Sequence, residues 1–318
     1  MLYGKTGVRP NRSFVSRTIR HFKRHWRLHL LALPTVVYLL LFCYLPMFGV
    51  TLAFQNYNIS KGFFGSEFVG LKNFEFLFNT QDAWRITRNT VLYNVAFIAL
   101  NTSMSVLLAI VFNELFFKRF AKTLQTMLIM PHFLSMAVVG IVVYAFLNAR
   151  DGIVNNIISS LGGKTRNWYI YKPIWPWLLV FVNMWKGVGY GGIVYVASIS
   201  GISQEYYEAA VLDGASKWQQ TRYVTIPHLR KIIIIMLILN LGSIFKGDFG
   251  LFYNVTQNNG ALYEYTDVID TYIYRALITL GNTGMSAAAG LYQSLVGFVL
   301  ILLSNFIVRK VDEESALF

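Results

Sequence analysis

Cysteine is almost missing: Cys43 is the only one in 318 residues. An intramolecular disulfide and a cysteine-based zinc site are therefore excluded. Lying in an apolar run, Cys43 reads as a small buried hydrophobe. Charge is scarce as well, at 14% of residues against about 25% in soluble domains. The scarcer sign is negative, with 15 Asp and Glu against 28 Lys and Arg. No paired-carboxylate or Ser/His/Asp arrangement stands out among so few acids and five histidines. A nucleotide-binding loop is also missing. Gly162-Gly-Lys-Thr165 resembles the end of one, but its first glycine would fall on Ile158. Gly187-Val-Gly-Tyr-Gly-Gly192 fits G-x-G-x-x-G. It lies within an apolar run rather than between a strand and a helix, so it reads as close helix packing, with Gly187 and Gly191 as a G-x-x-x-G pair.

What the chain does have is apolar surface: 55% hydrophobic residues and a mean hydropathy of +0.47. A bilayer is the simplest solvent for it. Six runs are long enough to cross at about 20 residues each, near residues 30–54, 90–113, 124–147, 175–198, 232–253 and 287–307. Pro34 is tolerated near the start of the first, and Pro46 is expected to kink it. The fold class expected is an all-α integral membrane protein with six transmembrane helices and no tandem repeat. The first run is too long, and lacks a following small-residue site, for a cleavable signal peptide.

The positive charge has a side. With the N-terminus inside, 17 of the 28 Lys and Arg fall on inner segments and nine on outer loops, while Lys186 and Lys246 lie within spans. This bias predicts both termini in the cytoplasm. It also argues against nucleic acid, because the basic residues cluster in membrane-flanking positions. The organisation expected is a basic cytoplasmic segment at 1–29, a six-span domain at 30–309 and a short cytoplasmic tail at 310–318. His21, His25 and His29 share a helical face and fit a basic helix on the membrane surface better than a metal site. The outer loops hold FVGLKNFEFLF, expected as a short interfacial helix; WYIYKPIWPW, an aromatic belt; and DVIDTYIYR, another short helix.

Residues 205–230 form the longest polar break on the inner side. Gln204, Glu205 and Glu208 put negative charge near a helix N-terminus. Ala209 and Ala210 leave a smooth surface, and Gly214 permits a turn. A second helical segment carries Trp218, Tyr223 and Val224, and Ile226-Pro227 is expected to end it. Such a knob suits a groove on a partner protein.

Glu208-Ala209-Ala210, three residues, Gly214, nine residues and Val224-x-Ile226-Pro227 resemble the EAA loop of permease subunits of binding-protein-dependent ABC importers. Asp213-Gly214-Ala215 matches the loop's commoner longer form. LPTVVYLLLFCYLPMFGVTLAFQNYN, FVGLKNF, Arg88-Asn89-Thr90, DVIDTYIYR and AAAGLYQSLVGFVLILLSNFIVRK look like the LplB-type, carbohydrate-uptake subgroup. The resemblance implies a MetI-like type I importer fold in the bacterial cytoplasmic membrane. It implies a second permease subunit, two ATPase subunits and an extracytoplasmic solute-binding protein as partners. This chain would hold no cofactor; ATP and Mg would be bound by the ATPase subunits. Glu205, Glu208, Ala209, Ala210, Asp213, Gly214, Ala215, Ile226 and Pro227 would form the ATPase-coupling loop, a cytoplasmic loop near 203–230.

Polar residues in membrane spans are costly and mark functional sites. Asn183, Lys186, Tyr190 and Ala197 share one helical face. Asn240, Ser243, Gly247 and Asn254 repeat that spacing, with Lys246 and Asp248 beside them. The expected substrate path is Asn183, Trp185, Lys186, Tyr190, Asn240, Ser243, Lys246 and Asp248, with rings stacking on sugar faces and amides bonding hydroxyls. The two lysines permit an anionic sugar. Asn183 and Asn240 could equally join helices. A secondary transporter of a polar solute, or an ABC permease for a non-sugar substrate, is the competing reading.

Overall fold

A computed structural model of the chain describes residues 25–115 and 117–311. Most of the basic N-terminal segment, including His21, and the tail beyond Val311 lie outside these residues. Contacts divide the chain between Thr51 and Leu52 into two compact units.

The first unit contains helix α1 (Trp26–Leu39), a five-residue π turn (Leu40–Tyr44) and the start of a 3-10 run (Leu45–Phe54). A proline inside a helix lacks an N–H and presses on the carbonyl four residues back. For Pro46 that carbonyl belongs to Phe42, inside the π turn, whose wider i→i+5 winding makes room for the ring. Trp26–Phe54 is one apolar span of 29 residues whose winding passes from α to π before Pro46 and to 3-10 from Leu45 onward. Cys43 is exposed rather than buried. No side chain of α1 is buried.

The second unit opens with a two-stranded antiparallel hairpin, β1 (Gln55–Asn56) against β2 (Glu67–Phe68). Asn73 Nδ2 holds it by donating to the carbonyls of Ala53 (3.0 Å) and Gln55 (2.9 Å). The FVGLKNFEFLF stretch therefore divides into a strand and short helical turns rather than one helix. Helix α2 (Gln81–Glu114) follows, started by Thr80, whose Oγ1 accepts from Ala83 N at 3.2 Å.

The run expected as one span at 124–147 is two helices, α3 (Lys118–Ile129) and α4 (Met136–Leu147). Arg119–Phe133 and Met136–Leu147 meet at 97°. Pro131 sits in a 3-10 turn at the corner, and Ser135 caps the new helix by accepting from Val138 N at 3.3 Å. Helix α5 (Trp175–Ser200) then runs alongside α2. Its aromatic prelude is not simply a membrane belt. Trp177 is exposed, but Trp175 and Tyr169 are buried in the largest core cluster, with Leu179, Phe252 and Val268. Trp175 Nε1 donates to the Trp168 carbonyl at 2.9 Å, satisfying its polar edge inside that core.

After α5 come α6 (Gln204–Leu212), a single turn (Lys217–Gln220), a π turn (Thr221–Thr225) and α7 (Ile226–Leu241). Pro227 does not stop the helix. It stands two residues after a π turn, as Pro46 does, and Lys217–Leu241 is one apolar helix of 25 residues. The run expected at 232–253 is not continuous. Helix α7 ends at Leu241, and a second helical piece resumes near residue 249, passing through a π turn at Leu251–Val255. DVIDTYIYR does contain a short helix, α8 (Ile269–Ile278), and α9 (Thr283–Val311) ends the described chain.

Among the described residues, four helices are long and apolar enough to cross a membrane, and the bent α3–α4 pair would make a fifth. Helix α5 has the length, but Asn183, Lys186 and its glycines dilute it. Close packing replaces apolar driving force there. A Cβ at Gly189 would collide with the Leu128 carbonyl of α3, and one at Gly191 would stand 3.0 Å from Ser105 Oγ of α2.

Candidate functional site

Two places gather the residues singled out above. The first is the loop from α6 to α7. Helix α6 starts at Ser203, whose Oγ accepts from Glu205 N at 3.4 Å, with Glu205 in its first turn. It ends in a glycine cap: Gly214 has φ +77°, and Ala215 N donates back to the Ala210 carbonyl at 2.9 Å. A Cβ at Gly214 would meet nothing within 4 Å, so it is conformation that calls for glycine there. Ser216 and Gln219 then make a reciprocal capping box that starts the next turn.

Glu205, Glu208, Ala209, Asp213 and Gly214 are exposed; Ala210 and Ala215 are half-buried. Beside them Leu212 is 89% and Trp218 67% exposed, an apolar surface with polar surroundings. Ile226 and Pro227 lie outside this knob, in the first turn of α7. The knob is tied to that helix: Tyr207 Oη and Thr225 Oγ1 share a hydrogen bond of 2.9 Å. Lys217 Nζ also lies 3.7 Å from Glu114 Oε2 at the end of α2.

The second place is a cavity of about 320 Å³ where α2 and α5 meet the end of α7. Asn183, Asn240, Ser243, Lys246 and Asp248 all line it. Sequence reasoning missed Asn94 and Asn101 of α2, which line it too. They were legible as polar residues in a span, the same signal that picked out Asn183. Asn101 Nδ2 donates to Asn183 Oδ1 at 2.7 Å, and Asn101 Oδ1 is buried and accepts no hydrogen bond among the described residues. Asn94 Nδ2 donates to the Lys246 carbonyl at 3.0 Å.

The other expected path residues stand apart from this cavity. Lys186 Nζ donates to the His132 carbonyl at 2.7 Å, at the α3–α4 corner. The Tyr190 ring stacks on His132, centroids 4.0 Å apart and planes within 4°. Trp185 is 41% exposed outside the cavity. Asn254 also leaves the stripe predicted for it, because the helix breaks between Asn240 and Asn254; it lines a different cavity.

The break at 242–248 has its own wiring. Asp270 Oδ2 accepts from Gly247 N at 2.5 Å and from Gln293 Nε2 at 3.0 Å. Gln293 Nε2 also donates to the Phe245 carbonyl at 2.7 Å, and Asp248 Oδ1 accepts from Leu251 N at 3.0 Å. Asp270 and Gln293 thereby hold Lys246 and Asp248 at the cavity.

Residues 101–313 match the family described as binding-protein-dependent transport system inner membrane component. The chain belongs to this family. Protein LplB of Bacillus subtilis (strain 168) is 35% identical over 293 residues, 92% of each chain. The polygalacturonan/rhamnogalacturonan transport system permease protein YteP of the same organism is 33% identical over 288 residues, 91% of this chain and 89% of that one. The fold superposes on a chain of a bacterial ABC transporter involved in the import of the acidic polysaccharide alginate, with a TM-score of 0.84 and 31% identity, covering 93% of this chain and 99% of that one. A second structure of an alginate ABC transporter, in complex with an alginate pentasaccharide-bound periplasmic protein, matches with a TM-score of 0.83 and 32% identity over 92% and 97%. This permease is therefore an inner-membrane transport component of the ABC importers rather than an enzyme.

Proposed function

We propose that this permease forms half of the translocation path of an ATP-driven oligosaccharide importer. The carrying observation is the amide-lined cavity, where Asn94, Asn101, Asn183 and Asn240 converge with Ser243, Lys246 and Asp248. Amides both donate and accept, so they match sugar hydroxyls, which do the same. The relatives that act on polygalacturonan, rhamnogalacturonan and alginate support a carbohydrate, and an acidic one, as the cargo. Lys246, exposed at the cavity, is the cation available to a uronate carboxylate.

In this reading the chain crosses six times, with α3–α4 as a bent third span, α5 as the fourth and both termini cytoplasmic. A second permease subunit completes the path. A solute-binding protein delivers sugar from outside. Two ATPase subunits bind ATP and Mg and receive the α6 knob in a cleft, with Leu212 and Trp218 as apolar anchors. ATP binding closes the ATPase pair and α6 follows; Tyr207 and Thr225 pass the motion to α7, whose far end lines the cavity. The driving free energy comes from ligands that bind the inward-open and outward-open states differently.

The test is a double-mutant cycle in the reconstituted importer. Asn101→Ala and Asn183→Ala should each raise KM for oligosaccharide uptake about tenfold, equivalent to ~1.4 kcal/mol. The double variant should add little to either, because each removes the same hydrogen bond. Unchanged KM in both single variants would refute the cavity as the sugar site.

A further inference from the structure

A larger cavity, of about 710 Å³, lies between the end of α4 and the segments that precede α5 and follow the Leu251–Val255 π turn. The α6 knob follows the opposite end of α5, so this cavity is at the outer end of the bundle. Its volume falls within the roughly 300–1,000 Å³ range of small-molecule sites. Two tyrosines wall it, Tyr144 and Tyr169, with ring centroids 5.6 Å apart at 56°. Tyr169 is fixed: its Oη donates to the Val255 carbonyl at 3.3 Å, and its own carbonyl accepts from Asn259 Nδ2 at 2.9 Å. Tyr144 is 45% exposed and offers its ring to the cavity.

Part of the polar lining is already engaged, with Gln257 Nε2 donating to the Asn254 carbonyl at 2.9 Å and Asn148 Oδ1 accepting from Arg150 N at 2.8 Å, and the charged side chains are the part left for a ligand. The side chains of Arg150 and Asp151 make no ion pair among the described residues, although both line the cavity. Gln257 and Asn258 are consecutive non-glycine residues with φ of 57° and 46°. Backbone in this region is unfavourable for side chains other than Asn and Asp, and persists where surrounding bonds enforce it. Here Asn258 N donates to the Tyr253 carbonyl at 2.9 Å, and Tyr263 Oη donates to the Asn258 carbonyl at 3.2 Å. The result places Gln257 on the partition between the large cavity and a smaller one of about 330 Å³, which Tyr253 and Asn254 line.

A fixed aromatic wall, a carboxylate, a guanidinium and a shared amide form the chemistry that binds a pyranose. The ring packs on the sugar's C–H face, and the carboxylate and amide take its hydroxyls. We propose that the Tyr144–Tyr169 cavity is a second carbohydrate subsite, separate from the amide-lined cavity, that receives one sugar unit at the outer end and passes it across Gln257. The proposal rests on the oligosaccharide reading above.

The chain's single cysteine makes the test direct. Cys43→Ser with Gln257→Cys, assembled with its ATPase subunits, second permease and binding protein, is labelled with a water-soluble maleimide. The probes are oligogalacturonides, alginate oligosaccharides and malto-oligosaccharides, of which the one taken up on ATP addition is used. It should slow labelling about fivefold at roughly four times its dissociation constant, since the free fraction falls as 1 + [L]/Kd. Adding Tyr144→Ala should abolish that protection and Tyr144→Phe should keep it, with retained co-purification of all importer subunits and an unshifted thermal unfolding midpoint as the check on folding. A Cys43→Ser, Asn240→Cys chain reports on the amide-lined cavity in parallel. Protection at position 240 without protection at 257, or protection at 257 that survives Tyr144→Ala, overturns the subsite and leaves the oligosaccharide reading intact. Failure of every probe to be transported overturns both.

Discussion

Arg275 Nη2 lies 2.6 Å from Asp267 Oδ2, and that carboxylate has no exposed side-chain surface. Arg85 Nη2 stands 3.5 Å from the same oxygen, and Thr271 Oγ1 donates to Oδ1 at 2.8 Å. The guanidinium of Arg275 also packs 4.1 Å from the centre of the Tyr263 ring. The neighbouring backbone is drawn in. Asn89 Nδ2 donates to the Asp267 carbonyl at 3.0 Å, and Ile269 N donates to Thr90 Oγ1 at 3.0 Å. One buried acid thus joins the start of α2 to α8. Asp267→Ala would leave the Arg275 guanidinium facing no carboxylate, and Arg85 with Asp82 alone, 3.0 Å away. It should destabilise the protein by about 3–5 kcal/mol, the usual effect of removing one partner of a buried pair. The thermal unfolding midpoint of the detergent-solubilised importer measures this, and a midpoint equal to that of the unmodified chain would show the pair to be dispensable.

Gly214 is held to glycine by its φ of +77° and not by crowding. Gly214→Asn should therefore preserve the loop, because asparagine tolerates the left-handed region. Gly214→Val should cost about 1–2 kcal/mol at that residue and swing Leu212 and Ala215 out of register. Co-purification of the ATPase subunits should survive the first change and fall with the second. Equal loss in both would mean that the space around Gly214, occupied by a partner, matters more than its conformation.

Pro46 and Pro227 each follow a five-residue π turn by two residues. The wide turn at Thr221–Thr225 places Thr225 Oγ1 at Tyr207 Oη. Pro227→Ala restores the missing N–H and removes the reason for the wide turn. The helix should gain stability while the Tyr207 contact shifts. The expected result is a lower ratio of sugar moved to ATP hydrolysed, reproduced by Tyr207→Phe. If both variants keep the ratio of the parent, the knob passes its motion by another route.

The loop from Glu205 to Pro227 was legible because its parts are consecutive: cap, acid turn, small residues, glycine and proline stand in order along the chain. The error there was local. Pro227 read as a stop, since nothing in the sequence announces the π turn that absorbs it. The break after Leu241 was not legible, because its partners are far away. Asp270 and Gln293 take up the freed groups at Gly247 and Phe245, and an apolar run gives no hint of such distant bonds. Without that break, Asn240 and Asn254 fall on one face; with it, they line separate cavities. The bend between α3 and α4 did leave a trace in Pro131 and Ser135, a corner and a cap within an otherwise apolar stretch. Trp175 misled for the opposite reason. Aromatic residues before a span suit both a membrane belt and a packed core, and only the tertiary arrangement of Leu179, Phe252 and Val268 decides for the core.

Lys186 and Lys246 both looked able to meet an anionic sugar, and the structure separates them. Lys186 Nζ is engaged by the His132 carbonyl at the α3–α4 corner, 2.7 Å away. Lys246 is exposed and lines the amide cavity. Lys186→Met should leave that carbonyl without its donor and loosen the corner, at about 1.5–3 kcal/mol for a hydrogen bond to a charged group. Uptake of acidic and neutral oligosaccharides should then decline by the same factor. Lys246→Met should instead discriminate. The carboxylate of an acidic sugar would lose its counter-charge, while a neutral sugar would lose only one donor among several. KM for oligogalacturonides should rise about tenfold more than KM for malto-oligosaccharides of equal length, a difference of ~1.4 kcal/mol, and the gap should narrow as salt screens the exposed amine. Equal effects on both sugars from Lys246→Met, at low and high salt alike, would remove Lys246 from charge selection in the amide-lined cavity.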